Sequence, residues 1–199
     1  MSTHAHLDAD IREVLTAWSA PTPAQERLRQ EYLAHVDAHE QVSAKAGPPA
    51  HFTASCLVVD EAGERVLLTL HRKVGRWLQF GGHIEASDAE VAGAALREAV
   101  EESGLPADAL TLRPALAQLD RHALGSGFSR CTEHLDLRWV AVAAAGSEPV
   151  VSAESLDVAW WPVDDLPPDT EDSIRELVAL ATALPYGNAT SRRQDSALP

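Results

Sequence analysis

The spacing of apolar residues changes along the chain, and each change marks an element. Ile11, Val14, Leu15 and Trp18 recur at intervals of three and four, the spacing of an amphipathic helix, before the break Pro21-Thr22-Pro23. Leu28, Tyr32, His35 and Val36 continue as a second such helix, and Gly47-Pro48-Pro49 closes this extension. From His51 the period changes. Residues 53–59 and 65–71 read as strands joined by a turn over 60–64, a hairpin. Further strands are expected over 110–119 and 134–143 and up to Trp160-Trp161-Pro162, with a closing helix over 171–184. This succession predicts an α/β fold. It divides the chain into a helical extension over 1–50, a domain over 51–184 and a polar tail over 185–199 expected to be disordered. No internal repeat is visible.

One helix carries more negative charge than folding alone favours. The run Arg97-Glu98-Ala99-Val100-Glu101-Glu102-Ser103-Gly104-Leu105 follows Gly81-Gly82-His83-Ile84-Glu85. At roughly 100° per residue, with Glu98 at zero, Glu102 falls near 40° and Glu101 near 300°, so the three acids share one arc. Ala92, Leu96, Ala99, Val100 and Ser103 fall between roughly 100° and 200°, which predicts that this opposite stripe is the buried one. Like charges at i and i+4 destabilise a helix by roughly 0.2–0.5 kcal/mol per pair, and a divalent cation would offset that. All-oxygen ligation suits Mg²⁺ or Mn²⁺, which keep positions open for water and phosphate. The plainer reading is a solvated acidic face. Ser87-Asp88-Ala89-Glu90 reads as a capping box opening the helix, and Gly104 before Pro106 as its end.

The stretch from Gly82 to Leu105 resembles the signature of Nudix hydrolases, a Gly-Gly turn leading into a helix with Arg-Glu-x-x-Glu-Glu-x-Gly. The resemblance implies a Nudix-type α/β/α sandwich with a mixed sheet, to which the N-terminal helices are an addition. Gly82 and Arg97 stand fifteen positions apart, one more than the family pattern, and Asp88 occupies the place of a family Glu. The insertion falls in the loop, so Asp88 is not assigned to the metal. The resemblance implies that Glu98, Glu101 and Glu102, with the Gly82 carbonyl, hold the ion, and that Arg97 orients the carboxylates. It also implies that Glu154, in the loop before the last strand, or Glu101 or Glu102, acts as general base. A solvated loop carboxylate is the alternative for Glu154.

The most basic stretch precedes the turn. Arg72, Lys73 and Arg76 are candidates for phosphate contacts, and Trp77 for stacking on a base or packing beneath the turn. Glu85 and His83 are placed with the substrate. His83 after the glycines resembles the Gly-His pair of isopentenyl diphosphate isomerase, where it contributes a metal ligand. His122, Cys131 and His134 would complete a second metal site with it, although their spacing matches no zinc signature.

Composition narrows the partners. The formal net charge of −14 argues against nucleic acid or an anionic membrane. Two cysteines make no disulfide framework, no apolar run has membrane-spanning length, and a cytoplasmic enzyme acting on a small diphosphate substrate is expected. The two apolar helical stripes must pack on something, either the rest of the chain or a second copy; the family resemblance favours a homodimer. Three functions fit: a metal-dependent hydrolase of a nucleoside diphosphate linked to another moiety, an isomerase of isoprenoid diphosphates, or a nucleotide-binding sensor without turnover. A sensor of this family usually carries a DNA-binding domain, and no basic recognition helix is visible.

Overall fold

A computed structural model describes residues 3–124, 131–152 and 155–183. The expected tail and Glu154 lie outside the described residues. The elements run α1 (Ala5–Ala17), α2 (Pro23–Ala38), β1 (Ala50–Val59), β2 (Arg65–His71), β3 (Trp77–Leu78), β4 (Phe80–His83), α3 (Val91–Ser103), β5 (Leu110–Leu112), β6 (Gln118–Ala123), β7 (Glu133–Ala143), β8 (Ser155–Pro162) and α4 (Asp172–Ala183). The expected hairpin is β1–β2. Asp60 closes it, its carboxylate accepting from the backbone N–H groups of Glu64 and Arg65 at 2.8 and 3.0 Å. The single strand expected over 110–119 is two, β5 and β6, and the Gly-Gly turn is itself a strand, β4.

The sheet is mixed. β1 runs parallel to β7 over its whole length, and the other pairings among the described residues are antiparallel. Along its other edge β1 pairs first with β4 and then with β2. Residues alternate faces along a strand. Phe52, Ala54, Cys56 and Val58 of β1, with Leu135, Leu137, Trp139 and Ala141 of β7, join α1, α2 and α3 in one core. Leu57, Val59 and Val140 face the other way and pack with Ile174, Leu177, Val178 and Ala181 of α4.

The N-terminal helices belong to the first core. Leu7, Ile11 and Leu15 are fully buried, and Tyr32 and Val36 nearly so. The stripes that prompted the expectation of a homodimer are therefore covered by the chain itself. Val14, Trp18 and Leu28, also on those stripes, are partly buried against the same core. At about 25 cal/mol per Å² of apolar surface, helices buried this fully are part of what holds the domain together rather than an appendage.

α3 is rotated from its expected setting. Its buried residues are Val91, Ala94, Ala95, Ala99, Glu102 and Ser103. On the wheel used above they run from roughly 320° through zero to roughly 140°, an arc that contains Glu98 and Glu102. Ala92, Leu96 and Val100 are only partly buried. The reason is that the helix has packing partners on more than one side, with α1 as well as the sheet against it. A single apolar stripe does not then identify the inward face. Nor is α3 opened by a capping box. Its N-cap, Glu90, makes no side-chain cap bond, and the Val91 N–H donates instead to the Asp10 carboxylate of α1 at 2.7 Å. The end is as expected: Gly104, at φ +68°, adopts the left-handed turn and returns its N–H to the Val100 carbonyl at 3.0 Å.

Candidate functional site

α3 and β4 build the acidic site between them. The backbone of Gly82 lies directly against Glu98, and a Cβ placed there would sit 2.6–2.8 Å from the Glu98 carboxylate. Only glycine admits that approach. One residue earlier, the Gly81 N–H donates to the Glu102 carboxylate at 3.2 Å. Glu102 is 6% exposed, an acid placed inside the fold with a backbone donor beside it.

Arg97 organises the remaining acids, as expected for a positioning residue. Its guanidinium makes a two-point contact with Asp88, at 3.0 Å on each oxygen, and reaches Glu98 at 2.9 Å, Glu101 at 3.2 Å and the His83 carbonyl at 3.1 Å. The bonds to Asp88 first, then Glu98, raise its pKa and hold it charged. Burial works to raise the Asp88 pKa, but the Arg97 bonds and the N–H of Glu85 outweigh it and leave the carboxyl below its ordinary value. Asp88 thus completes the clamp on Arg97 rather than joining the three glutamates. Glu101, with its side chain 58% exposed, reaches furthest into solvent. Glu98 beside Gly82 and Glu102 beside the Gly81 N–H bring two carboxylates to the glycine pair, with Glu101 further out in solvent, and oxygen donors of this kind suit a hard cation that retains water.

The other expected site residues have partners of their own. Arg76 pairs with Glu171 just before α4 at 2.7 Å, and Arg72 donates to the Ser155 carbonyl at 2.9 Å. Lys73 is exposed. Trp77 meets Trp161 edge to face with ring centres 5.2 Å apart, so packing accounts for it. Glu85 is exposed in the loop and accepts from the Ser87 hydroxyl at 3.2 Å. His83 points away from the box: Gly82 faces Glu98, and the next residue of the strand faces the opposite side.

On that opposite side His83 meets a cluster. His51, His83, Cys131 and His134 present donor atoms that all lie within 4.8 Å of one another, the one such group of potential metal ligands among the described residues. His51 takes the place expected of His122, whose Nδ1 is 3.0 Å from the Asp120 carboxylate. The Nε2 atoms of His83 and His134 are buried without a hydrogen-bond partner, an arrangement that costs about 1–3 kcal/mol for each. Burial, then Lys45 and His51, push the His83 pKa down to about 4. Burial, then His122, His83 and His51, push that of His134 down to about 3.

Sequence reasoning missed a buried polar ladder on the same face. Thr53 and Ser55 donate to Asp136 at 2.9 and 2.7 Å, and Arg138 bridges Asp136, Asp120 and Gln118 at 3.0, 2.8 and 3.1 Å. Polar residues at alternate positions of 51–55 and 134–138 were the signal for it.

Comparison with known proteins agrees with this architecture. No curated protein matches the chain. Among solved structures it is similar to the Ap4A hydrolase binary complex of C. elegans, at 18% identity and a TM-score of 0.55 over 66% of this chain and 95% of that one. It is similar also to the MutT protein of Methanosarcina mazei Go1, at 17% and 0.51 over 68% and 95%. A NUDIX family hydrolase from Clostridium perfringens aligns at 28% identity and 0.47 over 67% and 94%. The first two likenesses establish the fold. The family model for the NUDIX domain matches residues 49–181, which take in the whole sheet, the Gly-Gly strand and the clamped acidic helix. The chain belongs to the NUDIX family.

Proposed function

We propose that the chain is a Mg²⁺- or Mn²⁺-dependent pyrophosphohydrolase that cleaves a phosphoanhydride bond in a nucleoside diphosphate linked to another moiety. One observation carries this reading: Arg97 binds Glu98 and Glu101 while the Gly81 N–H binds Glu102, so that the three acids of one helix are held in place, with Glu98 directly against Gly82. Glu98, Glu101, Glu102 and the Gly82 carbonyl would hold the ion. Bound there, it would neutralise charge on the bridging and leaving oxygens of the diphosphate.

The remaining chemistry falls to the chain's own groups. Arg97, engaged by acids on several sides, orients ligands and does not meet substrate. Glu101, the most exposed of the three acids, is the general base that reaches water most readily; Glu102 and Glu154 are the alternatives. Exposed Lys73 and its neighbours Arg72 and Arg76 supply positive charge for the substrate phosphates, and Glu85 lines the loop over the helix start. The proposed partner is a small diphosphate in a cytoplasmic setting. No helix among the described residues is long and apolar enough to cross a membrane.

Replacing Glu102 with Gln keeps its shape and its bond from Gly81 and removes one charge. Turnover should fall by at least about a hundredfold with an unchanged circular dichroism spectrum; near wild-type kcat at saturating Mg²⁺ would overturn the assignment. Candidate substrates are nucleotide sugars, dinucleoside polyphosphates, ADP-ribose, NADH and modified nucleoside triphosphates. A second reading, an isomerase of isoprenoid diphosphates, draws on His83, whose ring points into the histidine cluster. Reaction in ¹⁸O-water separates the two. Hydrolysis places label in a phosphate-containing product, and isomerisation leaves the diphosphate whole.

A further inference from the structure

We infer that His51, His83, Cys131 and His134 form a zinc site on the face of the sheet opposite the acidic helix. The sheet register brings the four together. His51 and His134 are directly paired across the parallel strands β1 and β7. His83 pairs with Thr53, two residues from His51 and therefore on the same face. The backbone holds Cys131 nearby, because the N–H of its neighbour Thr132 donates to the Pro49 carbonyl at 2.9 Å, next to the start of β1.

The donor atoms suit the metal in number, kind and distance. Zinc takes nitrogen at about 2.0–2.1 Å and thiolate sulfur at about 2.3 Å, and a tetrahedron of three such nitrogens and one sulfur separates its ligand atoms by about 3.3–3.6 Å. His51 Nε2 and Cys131 Sγ already stand 3.8 Å apart, and all four donors lie within 4.8 Å of one another. Small side-chain rotations close the remainder. Three imidazoles and a thiol form a borderline-soft set that selects zinc over the hard cations suited to the carboxylates across the sheet.

The lone pairs are left available for an ion. Nε2 of His83 and of His134 is buried with no hydrogen-bond partner. His51 Nδ1 lies 3.2 Å from the Pro48 carbonyl, to which it donates, and this leaves Nε2 as the acceptor facing Cys131. A backbone carbonyl behind a histidine ligand is the usual way that a ring is oriented towards a metal. Coordination by Cys131 breaks its S–H bond, and the proton leaves to solvent. Four protein ligands complete the tetrahedron, as in zinc sites that stabilise structure. The ion would tie β4 to β1 and β7, and β4 carries Gly81 and Gly82. The site is independent of the proposed hydrolysis, since its ligands and the glutamates lie on opposite faces.

The test uses the full-length chain, purified under reducing conditions with a tag that lacks histidine and without chelator. Elemental analysis should find one zinc per chain, retained in Glu102→Gln and lost from Cys131→Ser and His134→Ala. Metal-free protein titrated with Co²⁺ should develop a thiolate-to-cobalt charge-transfer band and the strong visible bands of tetrahedral cobalt, and Cys131→Ser should lack the former. A zinc-selective chelator should lower the melting temperature of the wild type and leave Cys131→Ser unmoved. Because Cys131 lies on a half-exposed segment before β7, its serine variant keeps the fold, which circular dichroism verifies. The inference is overturned by protein that contains no zinc and gives no cobalt spectrum. Zinc content unchanged in Cys131→Ser and His134→Ala, or lost in Glu102→Gln, overturns it equally.

Discussion

Replacing Asp10 with alanine removes the cap of a helix that begins 81 positions further along the chain. The Asp10 carboxylate accepts from the Val91 N–H at 2.7 Å, and no side chain near the start of α3 makes a cap bond. Loss of an N-cap acceptor costs about 0.5–2 kcal/mol, typically ~1. A negative charge at a helix N-terminus adds about 0.3–1 kcal/mol, at the lower end in salt. Asp10→Ala should therefore destabilise the protein by about 1–2 kcal/mol. For a chain of this size each kcal/mol moves the melting temperature by about 2–4 °C, so a fall of about 2–8 °C is expected in thermal unfolding followed by circular dichroism. Asp10→Asn keeps an acceptor and loses the charge, and should lose about half as much. High salt should narrow the difference between wild type and Asp10→Asn. A melting temperature for Asp10→Ala within about 1 °C of the wild type would refute the docking of α1 on the acidic helix.

Removing residues 1–47 should do more than loosen the fold, because it strips Leu7, Ile11, Leu15, Tyr32 and Val36 from the core; the truncated chain should be poorly soluble and elute as aggregate in size exclusion. A soluble truncated protein with unchanged kinetics would show that the extension is not a needed layer. Gly82→Ala places a methyl group 2.6–2.8 Å from the Glu98 carboxylate and must displace it; turnover should drop on the order of a hundredfold with stability little changed, measured by initial rates and thermal melts. Arg97→Ala leaves Asp88, whose side chain is 8% exposed, without its cation, and should cost about 2–3 kcal/mol near neutral pH. Asp88 has a depressed folded pKa, so the stability it lends is present above its ordinary value of 3.8 and lost as the pH falls through the folded value. The gap between wild type and Arg97→Ala in denaturant melts should accordingly shrink below about pH 4.

The two sides of the sheet divide the molecule's chemistry. One face meets a helix whose acids are held by Arg97 and the Gly81 N–H, a site of hard oxygens open to water. The other carries a buried ladder from Arg138 through Asp136 to Thr53 and ends at the histidine cluster. β4 connects them, with Gly82 turned to the first face and His83 to the second.

The elements themselves were legible in the sequence, since periodicity and end signals act locally. The intervals of three and four around Ile11 and Tyr32, the alternation over the first half of β1 and over β7 and the left-handed Gly104 each state a backbone preference that holds whatever surrounds it. The acidic helix was equally plain, because Glu98, Glu101 and Glu102 share one arc wherever the helix lies, and the resemblance to the Nudix signature implied Arg97 beside them. Tertiary structure decided the rest. Which arc of α3 is buried depends on partners on several sides of it, and its cap comes from Asp10. The choice of His51 over His122 beside His134 follows from strand order and register. Both residues stand opposite His134, on β1 and β6, but one ring opens towards His83 and Cys131 while the other is held by Asp120. The sequence offered three members of that cluster, His83, Cys131 and His134, but irregular spacing could not supply the fourth, because the members come from three strands and a connecting segment that the parallel pairing of β1 with β7 helps to set side by side.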